Sequence, residues 1–435
     1  MRFSLIKPPG VMQKLLTLSA VAIAVSLNTV SAVSLEELAE RMESLEKKVS
    51  AYEQKYGPLE KAKTAPGRND AGGQIRMPVP AGAPAQSGYA TSEDLDAAFM
   101  NEDRAAGPAG GGWWERTSIG GYGELHLNQG DKEQVDFHRW VLFVNHRFTD
   151  RIKFFSEFEL EHSLVKGNKD EGEVELEQAY VEFDVGNQFI ARVGQYLVPV
   201  GILNEVHEPE TFFGVERNNV EKNILPATWW EAGLGGTKNF DSGLGLDVML
   251  HSGFQINPAD GNILNGRQKV AQFNDPDGAV TVRARYNGVP GLSLTAFGQY
   301  QNDISAGLGG KDSAWMGGAT AIYQNGGFGL RALYAYWNID SAEFDAIDAD
   351  EQYGYYIEPS YTFTLGGDHK LGLFGRYEHY EFANGRLNEV DEYRVGVNYW
   401  PHPNVVLKAD FSYADTADDG KGPQETYNFG MGYSF

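Results

Sequence analysis

Between Trp113 and Phe435 apolar and polar residues alternate with period two in sixteen successive segments, and the connections between them sort by length according to parity. The segments fall at 116–128, 134–148, 151–165, 173–185, 188–197, 227–240, 243–255, 277–288, 291–304, 312–324, 327–338, 351–365, 369–383, 389–400, 403–415 and 424–435. Each even segment runs into a tight-turn sequence: Thr149-Asp150, Gly186-Asn187, Asp241-Ser242, Gly288 to Pro290, Asn325-Gly326, Gly366 to Asp368 and Pro401 to His402. Each odd segment runs into a longer connection, the longest being Val198 to Ala227. A soluble sandwich gives no reason for that sorting. A sheet closed across a membrane does, because its turns are short on one side and its loops long on the other, with both chain ends on the turn side.

The two faces of individual segments agree with this reading. In the last segment Tyr427, Phe429, Met431, Tyr433 and Phe435 oppose Thr426, Asn428, Gly430, Gly432 and Ser434. Leu292, Leu294, Ala296 and Tyr300 oppose Ser293, Thr295, Gln299 and Gln301 in the same way, as Tyr393, Val395, Val397 and Tyr399 oppose Glu392, Arg394 and Asn398. The apolar sets are expected to meet lipid and the polar sets a water-filled lumen. Such a chain stays polar on average: with 24 Phe, 22 Tyr and 8 Trp, mean hydropathy is still only -0.40. The predicted fold class is all-β, a sixteen-stranded antiparallel transmembrane barrel over 113–435, preceded by a short α-helical coiled coil.

The first 32 residues read as an export signal. Arg2, Lys7 and Lys14 form a basic start, Leu15 to Leu27 an apolar run too short to span a bilayer comfortably, and Val30-Ser31-Ala32 a small-residue cleavage point. Over 33–56, Leu35, Leu38, Met42, Leu45, Val49, Tyr52 and Tyr56 recur at alternating spacings of three and four, a heptad seam that needs a partner helix. Either self-association or docking on the chain itself satisfies it. Residues 57–112, rich in Pro, Gly and Ala, read as a linker.

Charge and cysteine count exclude whole classes. A formal charge of -24 argues against nucleic acid as a partner, and removal of the basic signal makes the chain more acidic still. The chain has no cysteine, hence no disulfide framework, thiolate metal site or cysteine nucleophile. His207-Glu208-Pro209-Glu210 has metal-capable side chains, but contiguous residues in a Pro-containing loop read as solvated charge, so no metal and no cofactor is expected. The histidines are scattered and no Ser/His/acid pair has diagnostic spacing, so no catalytic residue and no enzymatic activity is predicted.

Gly120-Gly121-Tyr122-Gly123-Glu124-Leu125-His126 followed by Asp136-Phe137-His138-Arg139 resembles the phosphate-selective porin O and P family. So do Phe155-Ser156-Glu157-Phe158-Glu159-Leu160-Glu161-His162, Glu175-Leu176-Glu177-Gln178-Ala179-Tyr180-Val181-Glu182, and the connection from Pro199 to Trp230. The resemblance is specific over most of 116–300 and general beyond. It implies a trimeric outer-membrane channel, with an N-terminal periplasmic coiled coil in some relatives. The aromatic end at Phe435 looks like the signal by which outer-membrane barrels engage their insertion machinery. The expected partners are therefore outer-membrane lipid, further copies of the chain, that machinery, and small solutes or ions.

In sixteen-stranded porins the loop after the fifth strand folds inward and narrows the pore. By that analogy Gly201 to Glu205 and Phe212 to Asn219 form the constriction, aromatics on the wall and charges toward the pore. The loop carries Glu205, Glu208, Glu210, Glu216 and Glu221 against Arg217 and Lys222, with His207 as a further cation, and is net acidic. Polar strand faces add Lys153, Glu157, Glu159 and Glu161, then Arg283 and Arg285, then Arg376 and Arg394, while Arg139 lies in a family-like segment. Passive diffusion of small hydrophilic solutes is the expected function, phosphate or other anions being what the resemblance implies. A cation- or dicarboxylate-preferring channel, and an envelope-tethering barrel, are the alternatives.

Overall fold

The computed structural model describes residues 113–130, 133–165, 172–271, 277–308, 311–383, 389–416 and 422–435; the export signal, heptad seam and linker expected over 1–112 lie outside them. A 3-10 turn at Trp113–Arg116 leads into β1 (Thr117–Gln129), β2 (Gln134–Thr149), β3 (Ile152–Glu161), β4 (Val174–Gly186) and β5 (Phe189–Leu197). There follow β6 (Trp230–Asn239), β7 (Leu244–His251), β8 (Ala279–Val289), β9 (Leu292–Gln301), β10 (Ser313–Asn325) and β11 (Phe328–Asp340). The last five are β12 (Glu351–Gly366), β13 (His369–Glu381), β14 (Glu389–His402), β15 (Val405–Thr416) and β16 (Gln424–Ser434).

Every strand pairs antiparallel with its chain neighbours, and β1 pairs with β16, so the sixteen-stranded sheet closes without a free edge. At the seam Tyr122 faces Ser434, and the backbones of Gly121 and Phe435 exchange hydrogen bonds of 3.0 and 2.9 Å. The reversals after even-numbered strands are tight, as expected. Between β4 and β5, Asn187 and Gln188 are both left-handed (φ 53° and 58°), the geometry whose twist matches the flanking strands, and Gly326 (φ 58°) serves β10 and β11. Two expected turns are displaced: Gly288 lies within β8, and that reversal falls at Pro290 and Gly291. Pro401 and His402 finish β14, and the chain reverses at Pro403 and Asn404, whose N–H donates to His402 Nδ1 at 3.1 Å.

The outer surface is what lipid requires. Leu294, Tyr300, Tyr393, Val395, Tyr427 and Phe429 are exposed, while their alternating neighbours Gln299, Gln301, Glu392, Arg394, Asn398 and Asn428 are buried. Aromatics form two bands. Tyr323 and Phe328, Tyr361 and Phe363, and Tyr433 and Phe435 pair near the turn ends; Trp315 and Tyr336, Tyr377 and Tyr393, and Phe411 and Tyr427 pair near the loop ends. Amphipathic rings at both hydrocarbon boundaries fix the height of a barrel in its bilayer.

The inner face departs from expectation on one side. Four connections, 198–229, 252–278, 302–312 and 341–350 (which contains α2, Ala342–Asp345), contribute Trp229, Phe254, Ile256, Ile263, Ile304 and Phe344 to an apolar cluster. Met316 of β10 and Leu333, Trp337 and Ile339 of β11 meet them from the wall. These positions are therefore dry rather than water-facing. The same inward packing explains why β7 ends at His251 and β9 at Gln301, short of the expected 255 and 304: the Gln301 amide donates to the Phe254 carbonyl at 2.8 Å and accepts from its N–H at 2.9 Å, drawing the chain off the wall.

Candidate functional site

The connection from β5 to β6 lies inside the barrel and reaches the opposite wall at β13 to β15. Its own structure comes from a buried carboxylate. Glu221, on the short helix α1 (Asn219–Asn223), accepts from the N–H groups of Ile202 and Leu203 at 2.8 and 2.6 Å, from Asn218 Nδ2 at 3.1 Å and from Tyr356 at 3.0 Å. Burial pushes this carboxyl up even against four donors. Asn218 caps the helix by accepting the Glu221 N–H at 2.7 Å. Asn204 ties the two ends of the loop together, donating to the carbonyls of Val198 and Trp229 at 2.7 and 2.9 Å and accepting the Trp229 N–H at 2.6 Å.

The far wall receives the loop through charged strand residues. Asp410 on β15 accepts the Val215 N–H at 2.7 Å, Glu378 on β13 the Asn219 N–H at 2.6 Å, and Glu392 on β14 the Asn219 amide at 2.6 Å. Asn398 and Arg331 donate to the carbonyls of Phe212 and Thr211 at 3.0 and 2.8 Å, and the Trp337 indole to that of Ile224 at 2.8 Å. Inward glycines leave room for side chains of the loop. A Cβ on Gly432 would lie 2.2 Å from Pro209, and one on Gly372 2.6 Å from the Phe213 ring.

Arg376 and Arg394 belong to this seat and not to open lumen. Arg376 binds Glu378 at 2.6 Å, Glu358 at 3.0 Å and the Phe213 carbonyl at 3.3 Å; Arg394 binds Glu392 at 2.6 Å and Asp410 at 2.8 Å. Arg139 is likewise committed. It pairs with Glu124 at 2.8 Å and lies over the ring of Tyr122, at 5.6 Å from its centroid.

The near wall, β2 to β8, surrounds a cavity of about 180 Å³ under the loop. Glu157, Glu205, His207, Glu208, Arg283 and Arg285, six of the charged candidates named from sequence, line it together with Arg192 and Asp247, which were not among them. Asp247 accepts from Arg283 at 2.8 Å and from Arg285 at 3.1 Å, Glu205 pairs closely with Arg283, and Arg192 pairs with Glu182 at 3.0 Å. Glu159 is buried beside Glu177 rather than in the cavity. His207 and Glu208, read from sequence as solvated loop charge, are both buried, because the loop lies inside the barrel.

At the upper edge Glu216 approaches His126 at 2.9 Å and accepts from Asn128 at 3.2 Å. Arg217 is half-buried with Nη1 unpartnered among the described residues, and Lys222 projects from α1 into the open. Glu161 and Lys153 are only partly covered.

Two bulges placed residues that alternation could not. On β2, Asp136 to Arg139 spans one residue more than Glu124 to His126 on β1, and both His138 and Arg139 turn inward. On β4, Glu177 is the extra residue against Glu157 and Phe158 of β3, and it and Gln178 both face inward. Glu124, His126, Lys408 and Asp410 were also missed, although each alternates with outward residues in the ordinary period-two pattern.

Comparison with known proteins agrees with this architecture. Residues 118–419 match the model of the Gram-negative porin family. An uncharacterised protein of Aquifex aeolicus (strain VF5) is 30% identical over 338 residues, 69% of this chain and 76% of that one. Among solved structures, an anion-selective porin from Comamonas acidovorans (TM-score 0.51, 12% identity) is covered over 99% of its length by 73% of this chain. Salmonella typhi OmpF in complex with daunomycin (TM-score 0.50, 16% identity) is covered over 97%, again by 73% of this chain. At those identities the likeness is one of fold. The chain belongs to the Gram-negative porin family, and is an outer-membrane channel.

Proposed function

We propose that this channel passes small hydrophilic solutes by passive diffusion with weak ionic selectivity, its width set by the edge of the loop at 198–229. The carrying observation is the pairing of the cavity's arginines: Arg283 and Arg285 share Asp247, Arg283 also meets Glu205, and Arg192 meets Glu182. A ring of one sign would concentrate counter-ions, whereas alternating paired charges present a local field that orients dipolar solutes. The resemblance to the phosphate-selective porin O and P family favours anions, and Arg217 is the loop cation best disposed to meet one. Guanidinium groups already held by carboxylates are poorly placed to bind phosphate.

Single-channel recording in planar bilayers under a potassium chloride gradient tests this. The expected result is ion-permeable steps, a small reversal potential and no block by added phosphate. Saturable block of chloride current by phosphate would replace the reading with the phosphate-selective one, and insertion without conductance would favour an envelope-tethering barrel. The heptad seam at Leu35 to Tyr52 supports a homotrimer, for which detergent-phase light scattering expects three chains per particle. The outward aromatic end at Phe435 supports engagement of the insertion machinery.

A further inference from the structure

We propose that Glu157, Glu177 and His207 form a site for a divalent transition-metal ion of the zinc class, which clasps the inward loop to the β3–β4 wall. The three side chains come from three separate elements and are buried to 2%, 1% and 3% exposure. One ligating atom from each lies within 4.8 Å of the other two, and His207 Nε2 faces Glu157 Oε1 and Glu177 Oε2. His207 Nε2 is 3.6 Å from the first carboxylate oxygen and 3.7 Å from the second, beyond hydrogen-bond reach, and both it and Glu177 Oε2 lack a hydrogen-bond partner among the described residues. Metal–ligand bonds of about 2.0–2.2 Å in a tetrahedron set ligand atoms about 3.3–3.6 Å apart, so these separations fit an ion between the atoms better than direct contact.

The atoms turned away from the site are held. His207 Nδ1 lies 3.3 Å from the Asn204 carbonyl, to which it donates, leaving the Nε2 lone pair aimed at the carboxylates. Gln178 donates to Glu157 Oε2 at 2.7 Å and Thr228 to Glu177 Oε1 at 3.1 Å. Tyr122 adds a weak donor, 3.4 Å from Glu157 Oε1. Glu159 brings a third carboxyl beside Glu177; of the nearby cations, Arg139 is committed to Glu124 and Arg267 to the carbonyls of Pro226 and Thr228. The β4 bulge at Glu177 turns that carboxylate inward. Glu157 and His207 line the cavity under the loop, which gives an ion a route in and leaves a fourth position for water.

The test uses untagged full-length protein in detergent, freed of metal and titrated with Zn2+, with Co2+ as an optical reporter. The expected result is one high-affinity ion per chain, tetrahedral Co2+ absorption, and at least tenfold weaker binding in Glu177→Gln and His207→Asn, each shown folded by heat-modifiable migration. His138→Asn serves as a control, because His126, His138 and Glu216 form a second cluster of metal-capable groups. Equal binding by wild type, E177Q and H207N, loss in H138N instead, or no stoichiometric binding by the folded wild type would each overturn the proposal. In those cases His207 is an ordinary buried imidazolium between two carboxylates.

Discussion

The backbone N–H of Val215 and the carboxylate of Asp410 meet at 2.7 Å across 195 residues of sequence, joining the tip of the inward loop to the opposite wall of the barrel. The other Asp410 oxygen is engaged by Arg394 and Asn428, each at 2.8 Å, so the acceptor is fixed before the loop reaches it. A hydrogen bond to a charged group contributes about 1.5–3 kcal/mol, enough to keep the loop docked in nearly all molecules. Asp410→Ala is expected to leave a folded barrel whose single-channel conductance is higher and noisier than wild type. Unchanged step size in bilayer recordings would show that the loop holds without this contact.

Space, as well as hydrogen bonding, positions the loop. Gly432 and Gly372 each admit a loop side chain where a Cβ would collide, with Pro209 at 2.2 Å and with Phe213 at 2.6 Å. Gly375 is the comparison, on the same strand as Gly372 but with no atom nearer than 3.9 Å to the point its Cβ would occupy. Gly432→Val and Gly372→Val are thus expected to displace the loop and enlarge the conductance, and Gly375→Ala to do neither. Limited proteolysis within 198–229 offers an independent readout, faster in the first two variants and unchanged in the third.

These sockets mark the boundary of what the sequence alone could convey. Period-two alternation and turn chemistry are local, and from them all sixteen strands and their parity could be read, whereas the inward loop could be expected only by analogy with sixteen-stranded porins. Whether an inner face is wet depends on what fills the lumen. From Leu333 to Trp337 both faces of β11 are apolar, Leu333, Ala335 and Trp337 inside and Tyr334 and Tyr336 outside, and there the packing of Trp229 and Phe254 against Trp337 distinguishes them. The bulges at His138 and Glu177 were hidden for a different reason. An extra residue reverses the alternation beyond it, so a strict period assigns Gln178 and Glu182 to lipid although both face the lumen.

The same alternation predicts where charge is intolerable. Val395 on β14 is 57% exposed between Tyr393 and Val397, on the face that meets hydrocarbon. An arginine there costs about 2–4 kcal/mol near the midplane of the bilayer. Val395→Arg should lower folding stability by that amount in urea titrations of the protein in lipid vesicles. A loss below about 0.5 kcal/mol would place this position at the interface rather than within the hydrocarbon band.

One carboxylate, Asp247, balances two arginines of the cavity wall. Asp247 accepts from Arg283 at 2.8 Å and Arg285 at 3.1 Å while Thr237 donates to its other oxygen at 2.7 Å, so a single negative charge offsets two guanidinium groups at the cavity wall. Asp247→Asn preserves shape and the capacity to accept, yet leaves both cations without their shared counter-charge; Glu205 then neutralises Arg283 alone. The local balance moves by one positive unit in a confined, poorly screened space, where a fixed charge attracts counter-ions more strongly than on an open surface. Reversal potentials under a potassium chloride gradient should accordingly shift toward chloride in D247N, and the opposite shift is expected for Arg285→Gln. Identical potentials in wild type and both variants would mean that permeating ions do not pass this wall, and that the route runs instead past Arg217 and Lys222 at the upper edge of the loop.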